Sequence, residues 1–447
     1  MLRSLFLGAL ALASFAQIGE DRVNARADAR ADGRSPTPDA APQWPSDPDV
    51  LLVVIDDMGW EDLELLPTQH LDALAARGRA FTNYYVEPVC TPTRLSLLAG
   101  IYATREDVSS ALRIRTLEKP GLDADRPTLA RSLNGRGWRT ACFGKWHMST
   151  SGGGRTLESA RRFGFEDWIA GTEGSIGLEG RSTHDDWERI DEGVVTRSRT
   201  YSALAITDAF VEWWQATEGP RPRFATINYL TPHEPWTTPP RELVPNAASY
   251  GASRRGRFEQ SVVALDTLIG RVLDTVDLAS TFVVVLADNG TPKEVPPPSL
   301  RYRGYKGTSW QGGVNVPLIV AGPGVVPGTD DHLCHAVDLP VTLLELCGVT
   351  PSRGFEDGVG FAAALAGSTM VPRAPVVVGY DNSDRPLGDG REQRWNWAVI
   401  EASGLKLVFD DGTLELFDLS TDPREGRPLD RPTDVERLAG LQVRFRQ

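Results

Sequence analysis

The feature that most narrows the fold is a short apolar run that stops abruptly at charge: residues 50–55 read VLLVVI, and Asp56 and Asp57 follow at once. Unbroken apolar side chains leave no face for water, which is the pattern of a strand covered on both sides in a parallel sheet. Similar runs recur at residues 140–143, 224–229, 282–287 and 317–320, with helical spacing between several of them, as in LDALAARG and FEQSVVALDTLIGRVLDTV. Strands alternating with helices predict an α/β fold, a large mixed, mostly parallel sheet sandwiched by helices. Ligands of such sheets collect beyond the carboxyl ends of the strands.

The C-terminal pattern is different. WNWAVI, GLKLVF and TLELFDL are closely spaced, turn-separated candidate strands, and an amphipathic stretch follows at residues 434–446. They predict a small antiparallel sheet plus one helix, an α+β subdomain over 376–447 beside a main domain over 48–375, with PVVVGY fitting either part. A chain of 447 residues is long for a single core. At the other end, MLRSLFLGALALASFAQ sets Arg3 before an apolar run with small residues ahead of Gln17. This reads as a signal peptide over residues 1–16 and implies export, periplasmic or secreted. The run is too short to span a bilayer, and no integral membrane association is expected. Residues 17–47, rich in Ala, Arg, Asp and Pro without apolar periodicity, read as a disordered spacer.

The formal charge of −13, from 60 acidic and 47 basic residues spread along the chain, argues against a nucleic-acid partner. Four cysteines make no disulfide scaffold. Cys142 sits in an apolar run and is expected in the core, while Cys334 and Cys347 flank VDLPVTLLEL and either pair or stay free.

Two strand ends carry hard oxygen donors: Asp56 and Asp57 after one run, Asp288 and Asn289 after another in VVVLADNG. Such ligands suit calcium or magnesium, and several buried carboxylates crowded together without a cation are costly. Strand-end acids also cap neighbouring helices. Two such ends in one sheet favour the metal.

The segment CTPTRLSLLAG supplies a C-x-P-x-R core in Cys90, Pro92 and Arg94. It resembles the type I, formylglycine-dependent sulfatase family of the alkaline phosphatase superfamily. Leu98, Ala99 and Gly100 are similar to that family's extension of the motif, whereas Leu95 stands where a small residue is more usual. FGKWHM, TPHEPW and YKGTSWQGGVNVP follow in the family's order and supply Lys145, His147, His233 and Lys306, and LFDLSTDPRE closes the resemblance. Taken singly, a Lys beside Gly is usually solvated and a lone His is usually structural. The resemblance implies an alkaline-phosphatase-like fold and a sulfuric ester hydrolase, with Cys90 oxidised to formylglycine by a sulfatase-maturing enzyme as partner. It further implies that Asp56, Asp57, Asp288 and Asn289 hold calcium, which also touches the modified Cys90. Lys145 and Lys306 would bind sulfate oxygens, Arg94 would hold the hydrated nucleophile, His233 would protonate the leaving oxygen and His147 would take a proton from the nucleophile's second hydroxyl.

The motifs recognise sulfate alone, so the alcohol is open: a sulfated carbohydrate or an aryl sulfate. Among 12 tryptophans, Trp187, Trp236 and Trp310 fall near loops that could surround a pocket, although most Trp residues fill cores. The long segment 149–200, with SGGGR, His184, Asp185 and Asp186, reads as a substrate wall or as ordinary surface. Arg301 and Arg303 would meet an anionic group or stay solvated. Two rival functions stand beside the first, a phosphate or phosphonate monoester hydrolase and a non-catalytic binder of sulfated glycans.

Overall fold

The computed structural model describes residues 44–111, 121–123, 125–148, 158–176, 182–351, 353–370, 372–381 and 395–444. The expected signal peptide, nearly all of the spacer and the SGGGR stretch lie outside these residues. Trp44, which composition places in the spacer, packs edge-on against Phe282 with ring centroids 5.8 Å apart.

The first apolar run forms β1 (Asp49–Ile55), buried at every position after Asp49 because a parallel strand flanks it on each side. Nine further strands complete its sheet: β2 (Arg79–Phe81), β4 (Arg139–Trp146), β5 (Asp167–Glu173), β6 (Trp187–Asp191), β7 (Val194–Ser198), β8 (Arg223–Asn228), β9 (Thr281–Ala287), β10 (Leu318–Ala321) and β11 (Gly328–Asp330). Their order is β11-β2-β10-β9-β1-β8-β4-β5-β6-β7. The centre, β9-β1-β8-β4-β5, is parallel, whereas β10 runs antiparallel to both neighbours and β6–β7 is an antiparallel hairpin at the far edge. A separate pair joins β3 (Tyr84–Tyr85) to β12 (Cys334–His335). All five apolar runs are strands, and the sheet is the expected mixed, mostly parallel one.

Helices cover it. The helix Arg254–Leu273, one residue run of the expected spacing, is N-capped by Ser253 and packs with the helices Ser202–Ala216 and Gln69–Arg77. The helices Cys90–Ala99, Leu129–Asn134 and Asp338–Leu346 form a second packed group.

The small sheet is an antiparallel meander of β13 (Val376–Tyr380), β14 (Asn396–Ile400), β15 (Leu405–Asp410) and β16 (Thr413–Asp418). PVVVGY thus belongs to it. Alternation decides its two faces. Val376, Val378, Ala398, Val408 and Phe417 pack with Tyr85, Trp310 and Val314 of the main body. Val377, Trp397, Val399, Leu407 and Leu416 pack with Leu438 of the helix Pro432–Arg444.

Candidate active site

Four adjacent parallel strands in register bring their ends to one rim. Ile55 lies opposite Ala287, Val54 opposite Asn228, and Asn228 opposite Gly144. The next residues therefore emerge together: Asp56 and Asp57 from β1, Asp288 and Asn289 from β9, and Lys145 from β4. Asp57 takes the left-handed conformation at φ 75°, which Asp tolerates better than most residues, and donates its N–H to Asp288 Oδ1 at 3.2 Å. Asn289 Nδ2 donates to Asp57 Oδ1 at 2.7 Å.

The helix Cys90–Ala99 enters this rim at its N-terminus and is buried along its whole length. Its last turn closes on Gly100 at φ 63°, where a Cβ would come within 2.6 Å of the Phe355 ring. Leu95, at the position where the family prefers a small residue, is fully buried and fills the core. Cys90 Sγ lies 3.2 Å from His147 Nδ1. Arg94, one turn later on the same face, donates from Nε to Asp288 Oδ2 at 2.9 Å and from Nη1 to Asn228 Oδ1 at 3.1 Å. Asn228 ends β8 and was not anticipated from sequence; its place at the end of a central strand was the available signal.

Both lysines point at carboxylates. Lys145, fully buried, donates to Asp56 Oδ2 at 2.6 Å, and Lys306 donates to Asp57 Oδ1 at 2.5 Å. His233 Nε2 lies 3.9 Å from Asp57 Oδ2, and its Nδ1 donates to the Glu234 carbonyl at 2.7 Å. That bond fixes the proton of the neutral ring on Nδ1 and leaves Nε2 as the atom facing the site.

The charges are strongly coupled. Burial works to raise the Asp56 pKa, but Lys145, His233, Arg94 and Lys306 together hold it far below the usual carboxylate range. Burial and then the Asp56 charge push Asp288 up to about 7. Burial disfavours the Lys306 ammonium, yet Asp57 and the other anions keep its pKa above the ordinary value. Burial, and next Lys306, pulls His233 down, and burial raises Cys90.

Two buried oxygens, Asp56 Oδ1 and Asn289 Oδ1, have no hydrogen-bond partner. Buried oxygens without partners are costly. One ligand atom from each of Asp56, Cys90 and Asp288 lies within 4.8 Å of the other two. Carboxylate and amide oxygens clustered this way suit a hard divalent cation, and both unpartnered oxygens are donors it would use. The predicted residues are thus brought together on one rim, two lysine ammoniums and an acid–amide cluster beside the Cys90 thiol.

The sulfatase family profile matches residues 48–349. The chain belongs to the sulfatase family. It is 27% identical over 394 residues to N-acetylgalactosamine-6-sulfatase of Sus scrofa, covering 79% of this chain and 73% of that one. It is 29% identical over 373 residues to arylsulfatase A of Bos taurus, covering 73% and 69%. Its fold is shared with the crystal structure of Ps i-CgsB in complex with k-i-k-neocarrahexaose, at a TM-score of 0.74 and 20% identity over 90% of this chain and 93% of the other. This sulfatase is a sulfuric ester hydrolase.

Several residues expected near the substrate have other duties in the sulfatase. Trp187 is fully buried and donates to the Thr200 carbonyl at 2.9 Å, so it cannot stack on a sugar. Trp310 is buried against Phe417 and donates to Asp410 at 2.8 Å. Trp236 is partly buried and donates to the Pro232 carbonyl at 3.1 Å. His184 is no wall residue: it is buried, bonds Ser202 Oγ at 2.7 Å, and donates from Nε2 to the His233 carbonyl at 2.9 Å, which steadies the loop carrying His233. Asp186 pairs with Arg197 at 2.6 Å. Asp185 is raised by its partial burial, against a hydrogen bond from Thr237. Arg301 is paired with Glu64, and Arg303 bonds Glu415 and the Glu425 carbonyl. Cys334 and Cys347 are free and buried, so the open pairing is not made. Cys142 is also buried, and burial pushes its thiol up to about 12, as expected of an inert core cysteine.

Proposed function

We propose that this chain is an exported, calcium-dependent sulfatase that uses a formylglycine formed from Cys90 to cleave a sulfated carbohydrate or an aryl sulfate. The observation that carries the proposal is the convergence on one rim of Cys90, Lys145 and Lys306 with an acid–amide cluster whose Asp56 Oδ1 and Asn289 Oδ1 lack partners. A sulfated amino sugar is favoured by the name of the N-acetylgalactosamine-6-sulfatase relative. Export rests on the N-terminal sequence pattern. No helix among the described residues is long and apolar enough to cross a membrane.

Asp56, Asp57, Asp288 and Asn289 would hold calcium, which supplies a Lewis acid for the sulfate oxygens. Formylglycine, made by a maturing enzyme, would supply in its hydrated form the hydroxyl that displaces the alcohol at sulfur and a second hydroxyl whose proton loss lets sulfate leave. The chain's own residues do the rest. Lys145 and Lys306 take sulfate oxygens and cancel the charge that would repel an oxygen nucleophile. Arg94, fixed on Asp288 and Asn228, holds the floor of the site and opposes the burial that raises Asp288. His147, 3.2 Å from Cys90 Sγ, is placed to receive a proton at the nucleophile. His233, with Nδ1 committed to Glu234, offers Nε2 to the leaving oxygen. An anionic sulfate beside the lysines offsets their charge and favours protonated His233.

Matched p-nitrophenyl sulfate and phosphate esters test the chemistry. The matured protein should release sulfate much faster than phosphate. A dominant phosphate rate would transfer the chain's activity to phosphorus esters, and no turnover of either ester by formylglycine-bearing protein would favour a binding role.

A further inference from the structure

Beside the C-terminal sheet, Lys406 of β15 and Glu425 form an ion pair, Nζ to Oε1 2.7 Å, with both side chains fully buried. Burial pulls Lys406 down and pushes Glu425 up, each against the attraction of the other. Apolar residues would dock the small sheet at no such cost, and an apolar cluster including Trp310, Val314, Val378 and Phe417 already does so.

The pair is spent on one loop. Glu425 Oε2 accepts from the Gln311 N–H at 2.8 Å, and Lys406 Nζ donates to Gln311 Oε1 at 3.3 Å. The Glu425 carbonyl accepts from Arg303 Nη1 at 3.2 Å. Arg303 in turn lies 3.5 Å from the Trp310 ring centroid, and its carbonyl accepts from Gly312 N at 2.7 Å, which closes the loop 303–312. Glu425 holds the left-handed conformation at φ 54°, a cost for a non-glycine residue, and in it the carbonyl grips one foot of the loop while the carboxylate grips the other. Lys306 sits between the feet, with its N–H on the Thr291 carbonyl at 3.0 Å and its ammonium on Asp57.

We propose that the Lys406–Glu425 pair is a positioning device for Lys306, by which the C-terminal sheet sets where that ammonium meets the sulfate. The proposal rests on the reading above in one respect, that Lys306 touches sulfate. The pair acts through the loop and never contacts substrate.

The test is a cycle with p-nitrophenyl sulfate on the matured, calcium-loaded protein. Lys406→Met combined with Glu425→Leu removes both charges and leaves no lone buried ion. With Lys306 present, kcat/KM should fall about 10- to 100-fold, as for a catalytic group displaced by about 1 Å, and inhibition by inorganic sulfate should weaken, while the melting temperature stays within a few degrees. In a Lys306→Ala background the same double change should cost less than about twofold. Equal losses in both backgrounds, or a loss that only follows the unfolded fraction, would overturn the proposal. If the double variant does not fold, Lys406→Met with Glu425→Gln, which also leaves no lone buried ion and keeps an acceptor for the Gln311 N–H, is read the same way in the same two backgrounds. Normal turnover by Lys306→Ala alone would remove Lys306 from the sulfate and the positioning role with it, whereas an impaired Lys306→Ala without coupling overturns the positioning role only.

Discussion

Glu87→Gln should make the fold less sensitive to alkaline pH. Glu87 lies three residues before Cys90 and is buried, with Oε2 accepting from the Gly379 N–H at 2.9 Å and Oε1 3.9 Å from His335 Nε2. Burial pushes its pKa from 4.5 up to about 8, against the single hydrogen bond from Gly379. Below about pH 4.5 the carboxyl is protonated in both folded and unfolded chains and costs nothing. Between the two pKa values the folded state holds a proton that the unfolded state has released, so stability falls as pH rises, by up to 1.36 kcal/mol per unit. The shift from 4.5 to about 8 is 3.5 units, or about 5 kcal/mol when complete, of which about 3 to 4 kcal/mol develops between pH 5 and pH 8. His335, drawn well below its usual range by burial and then Arg373, changes stability only on the acid side and does so in both proteins. Any fixed cost of the amide cancels when the two pH values are compared. Urea unfolding of both proteins at pH 5 and pH 8, in saturating calcium, should show the variant gaining about 3 to 4 kcal/mol on wild type over that interval. An unchanged difference between the two proteins would refute the buried, neutral carboxyl.

Other outcomes follow from the site. Lys145→Ala strands the Asp56 carboxylate that the ammonium meets at 2.6 Å, and it should cost about 3–5 kcal/mol by urea unfolding and on the order of 10²-fold or more in kcat/KM; unchanged kinetics would remove Lys145 from the site. Calcium added to chelator-treated protein at about 100 times its Kd should stabilise it by about 2.7 kcal/mol, and a melting temperature indifferent to calcium would contradict the metal assignment. Denatured, unmatured protein should titrate four thiols without reductant, in line with four free cysteines; two fewer would reveal a Cys334–Cys347 bond.

The central strands were legible because burial on both faces demands unbroken apolar runs, as in β1, β8 and β9. β7 was not, because the sheet's far edge faces water: it is exposed at Val194 through Arg197, and its pattern carries no core signal. β5 and β6 are better buried but interrupt their apolar residues with Gly, Thr, Glu and Arg, so neither shows an unbroken run. The three-residue β2 and β11 are too short to show any periodicity. At the site, Asp56, Asp57, Asp288 and Asn289 were legible as polar residues stopping apolar runs, and Cys90, Arg94 and Lys306 through their motifs. Asn228 was hidden because one amide after a strand has no pattern of its own. The tryptophans stayed open for the converse reason, since a loop-like neighbourhood in sequence says nothing of burial, and Trp187 took the core-filling alternative. The Lys406–Glu425 pair was invisible because its meaning lies in a contact across about a hundred residues with Gln311.

The mass of the proteolytic peptide that contains Cys90, taken after expression with a sulfatase-maturing enzyme, tests the account most directly. A formylglycine mass, accompanied by sulfate release from p-nitrophenyl sulfate, is the predicted result. An intact thiol that persists across several maturing enzymes, in protein that nonetheless turns over sulfate esters, would contradict it.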